Sequence, residues 1–334
     1  MTRLIRAYTP VRVCDFGGWT DTWFAWNGAV TSFAVDPGIE CLVRVRPGTG
    51  VEVFAENFST RFTLGEGKSF SLIEAAIEAV ELPADVAIEI SVFSPIPPGA
   101  SMGTSASVLV AIIAALDLLT PGTLSHHEIA RLAHQVEAST LQRQSGVQDQ
   151  FAAVYGGINF IEVTGYPNAQ VSPLRPSERF MWELESRLST FFMGSGHDSS
   201  DIHSQVIKVS EAGTNEGVLD ELRSIAHEAK SAVVAEDLSS IGRLMQQNTA
   251  CQQALHSNLV SSAALTIQEI ALRHEGLGIK VNGAGGSGGT VTVLGSADHV
   301  KQRQMIAEIK AALPQVTALD TRLNRTGIRR WQSA

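Results

Sequence analysis

The residues best equipped for chemistry in this chain sit in a few short segments. Pro98 to Ser107 reads Pro-Gly-Ala-Ser-Met-Gly-Thr-Ser-Ala-Ser and runs straight into an apolar stretch, Ala106 to Leu116. Small residues let a backbone approach a ligand closely. A helix starting here offers first-turn N–H groups without intrahelical partners, at the positive end of its dipole. That combination is a phosphate cradle, with Ser and Thr hydroxyls as further donors and one of them available to Mg²⁺. A capped helix after a proline turn is the plainer reading of the same residues; the wealth of Gly, Ser, Thr and Ala exceeds what a cap needs. Asn282 to Gly289 holds five glycines in eight residues, more than a hairpin requires. Ser145 to Phe151 places Asp149 at the start of a helix, as a cap or as an acid.

Several look-alikes fail on context. Gly67, Lys68 and Ser69 imitate the end of a P-loop, but Phe62 stands where the earlier glycine is required. Gly283, Gly285 and Gly288 satisfy the dinucleotide fingerprint, yet the next element, Thr290 to Leu294, reads as a strand and not a helix. His126 and His127 are adjacent and cannot share a ligand from one helix face. His134 reads as a surface or half-buried histidine.

The elements that position these segments alternate between strands and helices. Leu4–Val13 reads as a strand leading to a turn at Gly17 and Gly18. Ala29–Val35 and Glu40–Val45 read as two strands separated by a turn at Asp36, Pro37 and Gly38. Val51–Phe54, Thr60–Leu64 and Val86–Phe93 are further strands, and Phe70–Val80 has helical spacing. Ser125 and Glu128 form a capping box for a helix whose inner face is Ile129, Leu132, Ala133 and Val136. Glu137 then lies at the border of that buried face. Past a junction at Pro173 to Pro176 come a strand at Ser189–Met193, helices at Val218–Val234, Leu238–Gln252 and Ala263–Arg273, the strand Thr290–Leu294 and a helix at Ala297–Leu313. The pattern is α+β, divided into residues 1–176 and 177–334.

Composition narrows the function classes. With 44% hydrophobic and 18% charged residues over 334 positions, the chain has ample material for folded cores. A net charge of −9 without a basic stripe argues against a nucleic-acid partner. The apolar stretch after the Gly-rich loop is too short to span a bilayer. Cys14, Cys41 and Cys251 are far apart, without metal-ligand spacing or a disulfide framework, and read as reduced thiols of a cytoplasmic protein.

Taken in order, these segments resemble the motifs of the GHMP kinase superfamily. The central motif is matched at Pro97, Gly103, Thr104, Ser105 and Ala106, with Ser101 in place of a glycine and Met102 in place of a leucine. Pro10 to Thr22, with its run Gly17-Gly18-Trp19-Thr20-Asp21-Thr22, is similar to the first motif of the fucokinase- and heptose-kinase-like sugar branch. Asn282 to Gly289 resembles the third motif, and Ser145 to Gln150 the family's S/K-G-x-Q-D-Q segment. The resemblance implies the GHMP fold, with an N-terminal domain like ribosomal protein S5 domain 2 and a C-terminal ferredoxin-like domain.

It also implies roles. Pro98, Gly99, Ala100, Ser101, Met102, Gly103, Thr104, Ser105 and Ala106 would hold ATP; Ser105 and Glu137 would hold Mg²⁺. Gly18, Trp19, Thr20, Asp21, Gly285 and Gly286 would face the acceptor. Asp149 would take the acceptor proton, held ionised by Arg12. The expected activity is transfer of the γ-phosphoryl group of ATP to a sugar hydroxyl, the anomeric one. Kinases of mevalonate- or homoserine-like metabolites and a non-catalytic ligand sensor of this fold stay open. The expected partners are a small sugar and ATP, without nucleic acid or membrane, with a homodimer as an open option. Gly194 to Ser200 reads as a polar turn or as a substrate-side segment.

Overall fold

The computed structural model describes residues 3–65, 71–120, 123–194, 200–286 and 288–333. Its first half opens with strands β1 (Arg3–Phe16), β2 (Gly28–Pro47), β3 (Val51–Ala55) and β4 (Thr60–Thr63), then helix α1 (Ser71–Glu78) and strand β5 (Val86–Phe93). Helices α2 (Thr104–Asp117), α3 (His126–Gln135) and α4 (Gln148–Tyr155) follow, and strands β6 (Ile158–Gly165) and β7 (Asn168–Leu174) close it. The second half runs α5 (Glu178–Arg187), β8 (Leu188–Phe192), α6 (Ser200–Glu211), α7 (Glu216–Val234), α8 (Leu238–Leu255), α9 (Ser262–Arg273), β9 (Gly278–Val281), β10 (Thr290–Leu294), α10 (His299–Ala312), β11 (Thr317–Leu319), β12 (Arg322–Leu323) and β13 (Arg329–Ser333).

Among the described residues, nine strands form one sheet whose spine is β13-β1-β2-β5-β3-β4, with β6, β7 and β12 joined through β2. A second, antiparallel sheet has the order β11-β8-β10-β9. The expected boundary at residue 176 falls between β7 and α5, yet the tail returns: β13 pairs with β1 and β12 with β2. Helices α1 to α4 pack on one face of the large sheet, and α5, α7 and α8 on the other. Helices α9 and α10 cover the small sheet. Helix α2 is apolar all round and almost wholly buried, as a helix inside a core must be.

One irregularity decides where the chemistry goes. Thr9 pairs with Ile39 and Val11 with Val35, so one residue of β1 faces three of β2. The bulge exchanges the faces of both strands. Before it, Ile5 and Ala7 point toward α1 to α4; after it, Val11 and Val13 point toward α7 and α8. Arg12 therefore lies on the side of α2 and α4. This corrects the expected turn at Asp36, Pro37 and Gly38. Those residues are the wide side of a bulge inside one continuous strand, where Tyr8 Oη donates to Asp36 and accepts from the Gly38 N–H.

Candidate active site

The loop before α2 is held from both halves of the molecule. The Arg12 N–H donates to Met102 O at 3.0 Å, Arg12 Nη1 to Ser101 O at 2.6 Å, and Thr290 Oγ1 to Ala100 O at 2.9 Å. Met102 is fully buried and pins the loop to the core. Gly103 precedes the helix with φ +73° and no side-chain cap, so the first-turn amides of α2 face outward uncapped. A Cβ on Gly103 would lie 3.0 Å from Asp149 Cγ. Glycine is needed there for both conformation and space.

Asp149 stands in the first turn of α4, and Arg12 Nε donates to its Oδ1 at 2.7 Å. Burial by itself lowers the Arg12 pKa, but Asp149 and then Asp15 raise it further, so the guanidinium stays charged. Asp149 keeps a quarter of its side chain exposed, whereas Arg12 is buried.

Glu137 differs from its expected place at a helix border. After α3 the chain makes a π-helical turn, Val136–Thr140, and Glu137 within it is 6% exposed, more deeply buried than a face border implies. Such turns recur at functional sites. Ser105 Oγ donates to Glu137 Oε1 at 2.7 Å, and Gln150 Nε2 to Oε2 at 2.7 Å. Burial raises the Glu137 pKa, and the Ser105 hydrogen bond only partly offsets it. His134, expected near the surface, is also buried, with Nε2 3.0 Å from Tyr166 Oη.

A cleft of about 590 Å³ joins these groups. Gly99 to Ala106, Arg12, Glu137 and Asp149 line it, together with Trp19, Asp21, Gly283 and Ala284. Trp19 has φ +81° and is 6% exposed. Asp21 is buried, and burial pushes its pKa up to about 6, opposed by the Gln148 N–H and reinforced by Asp149.

Other expected contacts sit behind this wall. Thr20 is fully buried, its Oγ1 donating to Gly17 O, and Gly18 belongs to the tight turn that closes on Asp15 O. Gly285 donates to Asn282 O and Gly286 to Leu259 O, so Gly283 and Ala284 reach the cleft in their place. Pro98 lines a neighbouring cavity. Ser195 to Ser199, Ser287 and the Gly67 to Ser69 look-alike lie outside the described residues.

The neighbouring cavity, about 560 Å³ with Phe58, Leu72, Ile73, Ile96 and Val108 in its wall, shares Thr104, Ser105 and Arg143 with the cleft. Sequence reading misses it, because its apolar residues come from segments scattered between Ala55 and Val108. It also misses Asp15, a cleft residue whose buried Oδ1 meets Lys280 Nζ at 3.2 Å. Their 265-residue separation leaves no local signal. Two buried acceptors on the cleft wall, Thr104 Oγ1 and Gln148 Oε1, have no hydrogen-bond partner among the described residues.

Comparison with known proteins gives a family. The description "GHMP kinases N terminal domain" matches residues 71–157. D-glycero-alpha-D-manno-heptose 7-phosphate kinase of Campylobacter jejuni is 25% identical over 99% of both chains. A crystal structure of a D-glycero-D-manno-heptose 1-phosphate kinase from Bacteroides thetaiotaomicron superposes with TM-score 0.75 at 18% identity, covering 99% of each chain. Mevalonate kinase of Pyrococcus horikoshii is 31% identical across 80% of this chain and 77% of its own length. With likeness of that extent to a kinase, and with the fold shared from end to end, the chain belongs to the GHMP kinase family.

Proposed function

We propose that the protein transfers the γ-phosphoryl group of ATP to a sugar hydroxyl, the anomeric one. The observation that carries this is how close the uncapped start of α2 lies to the Arg12-held carboxylate: a Cβ on Gly103 would meet Asp149 Cγ at 3.0 Å. Phosphoryl transfer needs anchored phosphates, an oriented hydroxyl and a group to take its proton. The uncapped α2 amides supply the first. The apolar cavity beyond Thr104 and Ser105 suits a nucleotide base. Asp149 takes the hydroxyl proton, while Arg12 fixes it and offsets charge on the moving phosphoryl group.

Ser105 Oγ and Glu137 Oε1 form a pair of hard oxygen donors beside the helix start. Mg²⁺ favours one or two carboxylates completed by phosphate oxygens and water, so these residues fit it. Bound there, it would neutralise phosphate charge. Glu137→Gln is expected to raise the Mg²⁺ concentration for half-maximal rate by roughly tenfold or more, the scale at which even outer-shell ligand partners act. A Mg²⁺ titration of ADP release, with calorimetry of Mg²⁺–nucleotide binding, checks it; an unchanged midpoint removes Glu137 from the metal site.

The acceptor end mixes Trp19 with Thr22, Gln144 and Ser145. Neutral hydrogen-bonding groups around an aromatic wall suit a polyhydroxyl compound, and likeness to heptose kinases points the same way. The mevalonate kinase likeness supports a second reading, a non-sugar alcohol acceptor. An ADP-release screen over fucose, heptoses, heptose 7-phosphate, arabinose, galactose, mannose and mevalonate separates them. Turnover with mevalonate alone overturns the sugar reading, and turnover with none favours a ligand sensor. Residues 1–176 and 177–334 act in this reading as two domains flanking the cleft. The buried free thiols suit a reducing cytoplasm; no helix among the described residues is long and apolar enough to cross a membrane.

A further inference from the structure

The carboxylate of Asp21 is committed to its neighbours. Its Oδ2 accepts the Gln148 backbone N–H at 3.0 Å and its Oδ1 accepts Gln148 Nε2 at 3.2 Å. Its backbone O accepts the Val147 N–H at 3.2 Å. Gly146 packs so closely that a Cβ there would come within 2.1 Å of Oδ2. Helix α4 has no side-chain cap at Val147, and the amide of Gln148 is one of the donors a helix start leaves unpaired. Asp21, reaching in from the turn after β1, supplies that missing cap from a distant part of the chain. The next residue after Gln148 is Asp149.

We infer that Asp21 is a positioning residue for the transfer reaction: through Gln148 it fixes the start of α4, and so the direction of Asp149, rather than holding the acceptor itself. A carboxylate accepts only, which sets the Gln148 amide with Nε2 toward Asp21. The direction of the base then depends on one buried side chain. The inference rests on the reading of Asp149 as the proton acceptor.

Asp21→Asn keeps the volume but turns an N–H₂ group against one of the two Gln148 donors. It is expected to lower kcat by about 10²-fold, the loss that a misplacement near 1 Å brings, while the KM values for acceptor and ATP hold. Gln148→Met, which keeps the backbone hydrogen bond, gives a smaller loss of the same kind. The two losses combine non-additively in the double variant, because both break one link. An acceptor KM that rises at least tenfold with kcat preserved makes Asp21 a substrate ligand and overturns the inference. If Asp21→Asn fails to fold, Gln148→Met alone decides: unchanged kcat overturns the inference. Asp149→Asn is measured alongside. Wild-type turnover from that variant sinks the Asp149 reading itself. An inactive Asp149→Asn beside an Asp21→Asn that changes only KM sinks the positioning role alone.

Discussion

Asp149→Asn is expected to lower kcat by about 10²- to 10⁴-fold, the range a positioned general base supplies, and to leave ATP binding intact. The substitution preserves shape, and its Oδ1 still accepts from Arg12 Nε, which lies 2.7 Å from the native carboxylate. What disappears is the negative charge that, in the proposed mechanism, takes the acceptor proton. In the proposed reading ATP is anchored elsewhere, at the start of α2 and in the apolar cavity beside it, so calorimetry with ATP should report an affinity like that of the unmodified protein. Steady-state ADP release gives kcat. Rates near those of the unmodified protein would remove Asp149 from the mechanism and leave its ion pair with Arg12 as architecture alone.

Much of the site is readable in the sequence because its parts are local. The Gly-rich loop and the apolar helix behind it are contiguous, and Ser125 with Glu128 does form a reciprocal capping box. Thr290 to Leu294 is the strand its branched residues suggest, which disposes of the dinucleotide fingerprint before it. The unread parts depend on partners far along the chain. Asp36, Pro37 and Gly38 carry strong turn chemistry, but β1 pairs across both of their flanks, and a bulge absorbs them. No periodicity within β1 reports that bulge, although it places Arg12 beside Asp149.

Glu137 illustrates the same limit at shorter range. Helical spacing puts it at the border of a buried face, aimed inward; that it meets Ser105, thirty-two residues away, has no local signal. In the glycine run after β9, composition marks the turn but not its register. Gly283 and Ala284 face the cleft, whereas Gly285 and Gly286 bond to Asn282 and Leu259. Backbone hydrogen bonds to neighbouring segments settle which residues turn inward, and those neighbours are invisible to a local pattern.

Lys280→Met is expected to destabilise the fold by about 3–5 kcal/mol, the scale for stripping one partner from a buried ion pair. Lys280 is wholly buried on β9, and Asp15 is 2% exposed. Burial lowers the Lys280 pKa and Asp15 only partly restores it. Its Nζ nonetheless meets three acceptors, Asp15 Oδ1, Gln252 Oε1 and Val281 O, which match the three N–H groups of an ammonium. On the other side, burial would raise the Asp15 pKa, but Lys280 first, then Arg12 and the Gly283 N–H, bring it below the ordinary 3.8. The pair is therefore ionic. A carboxylate with a depressed pKa contributes stability that is complete above pH 3.8 and fades as acid protonates it below that value. Methionine leaves the buried Asp15 carboxylate without its ammonium partner, so urea unfolding at neutral pH should show a lower midpoint with an unchanged slope. The double variant Asp15→Asn with Lys280→Met should recover part of the loss, since no buried charge is left alone. A single Lys280→Met variant as stable as the original would show that water reaches Asp15. The pair would then not be the strut that ties the end of β1 to Gly283, which packs close to Ser101 of the loop before α2.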